Sequence, residues 1–266
     1  MRKKLALFII LIVCGACSGS KQKLEISGST SVAPVMEKLI TAYEKDHNEQ
    51  INLTADGSSA GISAAKAGVS DIGMSSRALK SQELDNELNI QVIAIDAIAV
   101  IINKDNTVDN LTVEDLHDIF TGKKTNWHDF GGRDRPIVII SRESGSGTRA
   151  AFEEVIEAQD ANGVSLVDSN NPVIVNSTGG VVENVKQKDG AIGYISLGSV
   201  DKDVKVTSLN GIVATEANVK AKLYPISRDF YLVSKKNNDK VSGFINYILS
   251  ADGQQIIENE GFIKVR

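Results

Sequence analysis

A chain of 266 residues with 42% hydrophobic and 24% charged residues can bury a sizeable core, which excludes a disordered or fibrous polypeptide and leaves one large domain or two of ordinary size. The formal net charge of −5 repels nucleic acid and anionic membrane surfaces, so any site for an anion must be made locally.

Arg2, Lys3 and Lys4 precede the apolar run Leu5 to Val13 and the small pair Gly15-Ala16. This predicts a signal peptide over residues 1–16, because the run is too short to span a bilayer. Removing it takes away three basic residues and leaves the mature chain more acidic. Cys14-Gly15-Ala16-Cys17 resembles the bacterial lipoprotein box, although an aliphatic residue usually stands where Cys14 does. The resemblance implies a lipid on Cys17 and a chain tethered to the outer face of a membrane, at a cell surface or in a periplasm, by that anchor alone. A disulfide at Cys17 is the alternative, but the chain's two cysteines would be parted by the cut, leaving Cys17 without a partner. Residues 17–23 read as the anchor linker.

Leu24 to Ser27 reads as a strand, and Val35, Met36, Leu39, Ile40 and Tyr43 then recur along one helical face, with Pro34 in its first turn. Ile51 to Ala55 alternates like a strand. Gly57 to Gly61 makes a turn, Ile62 to Ala67 reads as a helix ended by Gly68, and Asp71 to Met74 as a short buried strand. Strand, glycine-rich turn and helix in alternation predict a mostly parallel sheet covered by helices. Two long apolar strands, Gln91 to Asn103 and Asp229 to Ser234, stand far apart. Between them lie a capped helix at Thr112 to Thr121, the strand Ile137 to Ser141, the turn Arg142 to Thr148 with a helix to Glu157, and the strand Ala191 to Ile195. Helices over Val241 to Leu249 and Gly253 to Glu260 close the chain. Two crossings imply two lobes: residues 24–98 with 230–266, and residues 99–229. No internal repeat or low-complexity tract interrupts them.

Four segments place hydroxyls and glycines in the turn after a strand: Gly28-Ser29-Thr30-Ser31, Gly57-Ser58-Ser59, Ser75-Ser76-Arg77, and Arg142-Glu143-Ser144-Gly145-Ser146-Gly147-Thr148. A helix N-terminus carries unpaired N–H groups and partial positive charge. A strand-to-helix turn with glycine to bare the backbone and Ser/Thr to donate further bonds suits a tetrahedral oxyanion. Arg142 adds a formal charge and a planar donor fork. Any one of these turns alone would be an ordinary cap; four at equivalent positions point to a ligand.

Gly-Ser-Thr-Ser-Val-Ala-Pro-Val at 28–35, Asp-Ile-Gly-Met-Ser-Ser-Arg at 71–77 and Arg-Glu-Ser-Gly-Ser-Gly-Thr-Arg at 142–149 resemble the phosphate-binding protein family of ABC importers, over about Leu24 to Arg266. The resemblance implies the bilobal type II periplasmic-binding fold, an α/β architecture of two lobes joined by two crossing hinge strands that close on a dehydrated phosphate. It implies inorganic phosphate as ligand, an ABC permease and ATPase as partners, and a monomer without cofactor or catalysis. Carried over by motif, Thr30 and Ser31, Ser58, Ser76, and Ser146, Gly147 and Thr148 around Arg142 form the phosphate site. Many relatives place an aspartate where Ser76 stands, accepting the proton of hydrogen phosphate and so rejecting sulfate. A second family aspartate, which holds the arginine, is matched by Ser144. Glu143, Asp71 and Arg77 are left outside the site as charges more often solvated.

Other chemistries fit the sequence less well. Gly57-Ser58-Ser59-Ala60-Gly61 matches the nucleophile elbow of a serine hydrolase, but no histidine follows His128 to act as the late base of that class. No Gly-x-x-x-x-Gly-Lys-Ser/Thr loop is present, and Gly145-x-Gly147 lacks the third glycine of a dinucleotide site. The scattered histidines and the lack of calcium-loop spacing give no metal site. Trp127 reads as packed beneath its loop, with no ligand role. A binder of sulfate or molybdate on the same fold, or a surface phosphate sensor or adhesion protein, are the alternatives.

Overall fold

The computed structural model describes residues 22–265; the signal peptide over 1–16, Cys17 and most of the linker lie outside the described residues. The first lobe opens with β1 (Gln22–Gly28), α1 (Ala33–Asp46), β2 (Glu49–Ala55), α2 (Ser58–Ala67) and β3 (Ile72–Ser75). The long β4 (Leu88–Asn103) crosses to the second lobe. There follow β5 (Asn110–Leu111), α3 (Val113–Phe120), β6 (Val138–Arg142), α4 (Gly147–Val155), β7 (Val173–Val175), α5 (Thr178–Gln187), β8 (Ala191–Ser196), β9 (Val204–Val206), β10 (Ser208–Leu209) and α6 (Glu216–Lys220). The chain returns along β11 (Ser227–Lys235) and ends in α7 (Ser242–Ile248) and α8 (Ala251–Asn259).

Nine strands form one continuous sheet in the order β2-β1-β3-β11-β4-β8-β6-β7, with β9 also paired to β4. The sheet is more mixed than the sequence pattern predicts. Pairs β1/β2, β1/β3, β6/β7 and β6/β8 are parallel, whereas β11 runs antiparallel to β3 and β4, and β4 antiparallel to β8 and β9. The cause is the crossing itself: one hinge strand leaves the first lobe and the other returns, so they must oppose each other.

Each lobe has its own core. Leu24, Met36, Ile72 and Ile93 pack with Phe230 and Phe244, and Ile98, Leu116, Phe120 and Phe152 pack with Tyr194 and Ile226. The anticipated face of α1 is buried from Val35 to Tyr43. Trp127 is fully buried and donates its indole N–H to Gly190 O at 2.7 Å, which leaves it no face for a ligand. Helix α2 begins at Ser58, four residues before the predicted Ile62, because small residues let its first turn press onto the sheet. A Cβ on Gly61 would stand 2.6 Å from Gly28 Cα and from Ser27 O.

The hinge strands are locked by a buried ion pair. Arg228 and Asp96 lie opposite in register; Nε and Nη2 of Arg228 donate to Asp96 Oδ2 at 3.1 and 2.9 Å, and Ser196 Oγ donates to Oδ1 at 2.9 Å. One contact thus ties β11, β4 and β8. Beside it the register shifts between Phe230 and Tyr231, which face Ala94 and Val92, so Ile93 bulges out of the ladder. Its carbonyl accepts instead from Gln254 Nε2 of α8 at 3.1 Å.

Candidate functional site

The hydroxyl-rich turns converge at the carboxyl ends of β1, β2, β3, β6 and β7, the edge where open α/β sheets bind ligands. Helices α1, α2, α4 and α5 all begin there, so four partial positive charges face one locus. Pro34 suits the start of α1. Gly57 precedes α2 at φ 101°, a left-handed conformation that strains other residues.

From the first lobe, Thr30 and Ser31 follow β1, Ser58 opens α2, and Ser76 follows β3; all but Thr30 are 1% exposed or less. Ser76 N–H donates to Ser58 Oγ at 3.1 Å, and Ser29 O–H donates to Ser76 Oγ at 2.9 Å. From the second lobe, Ser146, Gly147 and Thr148 sit at the start of α4 beneath Arg142, the last residue of β6. Gly147 touches the opposite lobe so closely that a Cβ there would stand 2.4 Å from Ser58 Oγ and 2.7 Å from Ser76 Oγ. Ser146 plays a narrower part than its motif implies. Its Oγ caps α4 by accepting from Arg149 N–H at 3.2 Å, and its own N–H donates to Glu143 O at 3.0 Å; only its O–H is left to donate.

The lobes meet through these groups. Ser31 and Thr148 hydroxyls are 2.9 Å apart, and Ser59 N–H donates to Gly145 O at 3.1 Å. Two participants lie outside the site read from sequence. Thr178, first residue of α5, lies 3.1 Å from Ser31 Oγ and 3.2 Å from Thr30 Oγ1, hydroxyl to hydroxyl. Its signal was present in Asn176-Ser177-Thr178-Gly179-Gly180, a fifth hydroxyl–glycine turn before the buried helical pair Val181 and Val185.

Glu143 is the other. It accepts from Nε and Nη2 of Arg142, at 2.8 Å each, and so fills the place of the arginine-holding aspartate matched by Ser144. With one edge of the guanidinium taken, the second is presented to the cleft: Nη2 donates to Thr30 Oγ1 at 3.1 Å and Nη1 to Thr178 Oγ1 at 3.4 Å. The Arg142 backbone is held from behind. Arg149 Nη1 donates to its carbonyl at 2.7 Å, and its N–H donates to Tyr194 Oη at 3.3 Å. Burial pushes the Tyr194 phenol up to about 12, so it stays a neutral partner.

The charges left outside the site are engaged elsewhere. Arg77 grips Glu83 with two bonds of 2.7 Å and donates to Ser59 Oγ at 2.9 Å. Asp71 precedes β3 at the far end of the sheet and pairs with Lys240. Among the described residues no cluster of three or more His, Cys, Asp or Glu side chains has metal-holding geometry, and no helix is long and apolar enough to cross a membrane.

A family model described as a PBP superfamily domain matches residues 16–252. A phosphate-binding protein PstS of Borreliella burgdorferi is 31% identical over 259 residues, covering 91% of this chain and 90% of its own length. The chain belongs to the PBP superfamily and, within it, to the phosphate-binding proteins. The bilobal type II fold of this family is shared with solved structures. One from Clostridium perfringens, described as a phosphate ABC transporter substrate-binding protein with bound phosphate, has a TM-score of 0.86 at 43% identity, over 92% of this chain and 100% of its own. An ABC-type phosphate transport receptor from Vibrio cholerae gives 0.76 at 37% identity, over 90% and 99%. In this member of the family the hydroxyl–glycine turns and the Arg142–Glu143 pair are the features the fold brings together.

Proposed function

We propose that this chain is the extracytoplasmic substrate-binding protein of an importer: it captures inorganic phosphate between its lobes and delivers it to an ABC permease and ATPase, by binding alone and without catalysis. The observation that carries the reading is the convergence of four helix N-termini and buried hydroxyls from both lobes on the second edge of Arg142. A tetrahedral oxyanion held by Thr30, Ser31, Ser58 and Ser76 on one side and by Arg142, Ser146, Gly147, Thr148 and Thr178 on the other accepts from both lobes at once. Binding and closure about β4 and β11 are then one event, and the closed shape is what the importer reads. Hydrogen bonds to a charged group contribute about 1.5 to 3 kcal/mol each, so several donors in a dry cleft reach micromolar affinity or tighter despite the cost of dehydrating the anion.

The lobes are assigned as residues 24–98 with 230–266, and 99–229. Cys17 carries the lipid that holds this monomer at the membrane surface; mass spectrometry finding a mature N-terminus with an unmodified Cys17 would remove the anchor from the proposal. The function is tested by titration calorimetry of anion-stripped protein with phosphate. Saturable binding with one site per chain is expected, and silence at millimolar phosphate would sink it.

A further inference from the structure

The pair that presents Arg142 to the cleft joins neighbours in sequence. Side chains one residue apart on a strand point to opposite faces of a sheet, yet Arg142 and Glu143 meet through two bonds of 2.8 Å. They meet because Arg142 is the last residue of β6 and Glu143 enters a turn, closed by Ser146 N–H on Glu143 O at 3.0 Å. The geometry of the pair therefore depends on the one peptide unit between them, whose carbonyl and N–H lie in a common plane.

That peptide is gripped at both ends. Its N–H, from Glu143, donates to Val175 O at the end of β7 at 3.1 Å. Its carbonyl, from Arg142, accepts from Arg149 Nη1 at 2.7 Å. Arg149 is the third residue of α4, and its side chain is buried. The rest of its fork is anchored away from the cleft: Nε donates to Glu153 Oε1 at 2.7 Å, and Nη2 pairs with Asp168 Oδ1 at 2.7 Å. Glu153 is itself only 3% exposed. A planar guanidinium held in three directions cannot follow a carbonyl that moves, so it fixes the carbonyl instead. Among the described residues its side chain bonds none of the hydroxyls that face the ligand.

We infer that Arg149 is a positioning residue. Without touching the anion, it holds the 142–143 peptide in the orientation that lets Glu143 take one edge of Arg142 and turn the other to the cleft, and in this way it sets phosphate affinity. Its effect on affinity rests on the proposed phosphate-binding function, whereas its hold on the pair does not.

The test compares the full-length purified protein with Arg149→Lys. Lysine keeps a positive charge beside the buried Glu153, but its compact ammonium cannot reproduce the three-way fork. In ligand-free protein isotope-labelled at its arginines, NMR reads hydrogen exchange at the Nε–H of Arg142, assigned by its absence from Arg142→Ala. The Nε–H of Arg228, bonded to Asp96 in the hinge at 3.1 Å, is the control for a general loosening of the fold. Arg149→Lys is expected to speed exchange at Arg142 by about 10-fold or more and to leave Arg228 within about twofold, while calorimetry reads phosphate affinity lowered by about 10- to 100-fold, the loss of one bond from a charged donor. Exchange unchanged at Arg142, or sped equally at Arg142 and Arg228, overturns the inference and leaves the proposed function standing. Parent-like phosphate affinity in Arg149→Lys overturns it in the same way. Silence toward phosphate in the parent, with exchange sped at Arg142 alone, sinks the proposed function and supports the hold of Arg149 on the pair.

Discussion

Arg142 and Arg228 are two buried arginines with the same first contact and opposite employment. Each presents Nε and Nη2 to a carboxylate, Glu143 in the cleft and Asp96 in the hinge. Asp96 is itself 0% exposed and lies on the neighbouring strand, whereas Glu143 is adjacent in sequence and 27% exposed. The second edges differ more. That of Arg142 meets threonine hydroxyls from both lobes; Nη1 of Arg228 has no hydrogen-bond partner, and its guanidinium lies 5.4 Å from the Phe230 ring. Burial pushes the Arg228 guanidinium down and the Asp96 carboxyl up, as expected of a pair whose desolvation opposes its attraction. A guanidinium's first partner fixes it in place; its second edge decides whether it holds the fold or a ligand.

Three substitutions press on that difference. Arg228→Ala strands Asp96 in the hinge, and a loss of about 3 to 5 kcal/mol in folding stability is expected by denaturant titration; a loss below 1 kcal/mol would show that the hinge pair is dispensable. Arg142→Ala does the reverse, costing about 2 to 5 kcal/mol in phosphate affinity with a smaller change in unfolding midpoint, because Glu143 regains water. If it bound phosphate as tightly as the parent, the second-lobe half of the site would be wrongly assigned. Thr178→Val removes a hydroxyl that accepts from the second edge of Arg142 while keeping its volume, and calorimetry should read a loss of about 1.5 to 3 kcal/mol. No loss would confine Thr178 to capping and lobe contact.

The same contrast explains what the sequence does and does not disclose. Hydroxyl–glycine turns after strands are local signals, and they locate Thr30, Ser31, Ser58, Ser76 and the Arg142 to Thr148 turn without knowledge of the fold. Thr178 carries an equal signal but follows β7, a three-residue strand with no fully buried position, so no alternation marks the strand before the turn. Glu143 reads from sequence as a solvated charge, the usual state of an adjacent surface carboxylate. Only the shape of the turn brings both its oxygens against the guanidinium. Strand direction in the hinge is a property of pairing across more than a hundred residues, which is why a mixed sheet reads from sequence as a mostly parallel one.

The strand order also bears on how the chain reaches this shape. β11 lies between β3 and β4 in the sheet, and Arg228 meets Asp96 across 132 residues of sequence. The second lobe between the hinge strands is one uninterrupted stretch and can assemble as soon as it is available. The first lobe cannot close its sheet until β11 arrives, nor satisfy the bulged Ile93 carbonyl until Gln254 of α8 follows. Contacts of such long separation are slow to form. The second lobe is therefore expected to fold first and to template the other, so a chain truncated before β11 would present a finished half beside an unfinished half with an open β3 edge.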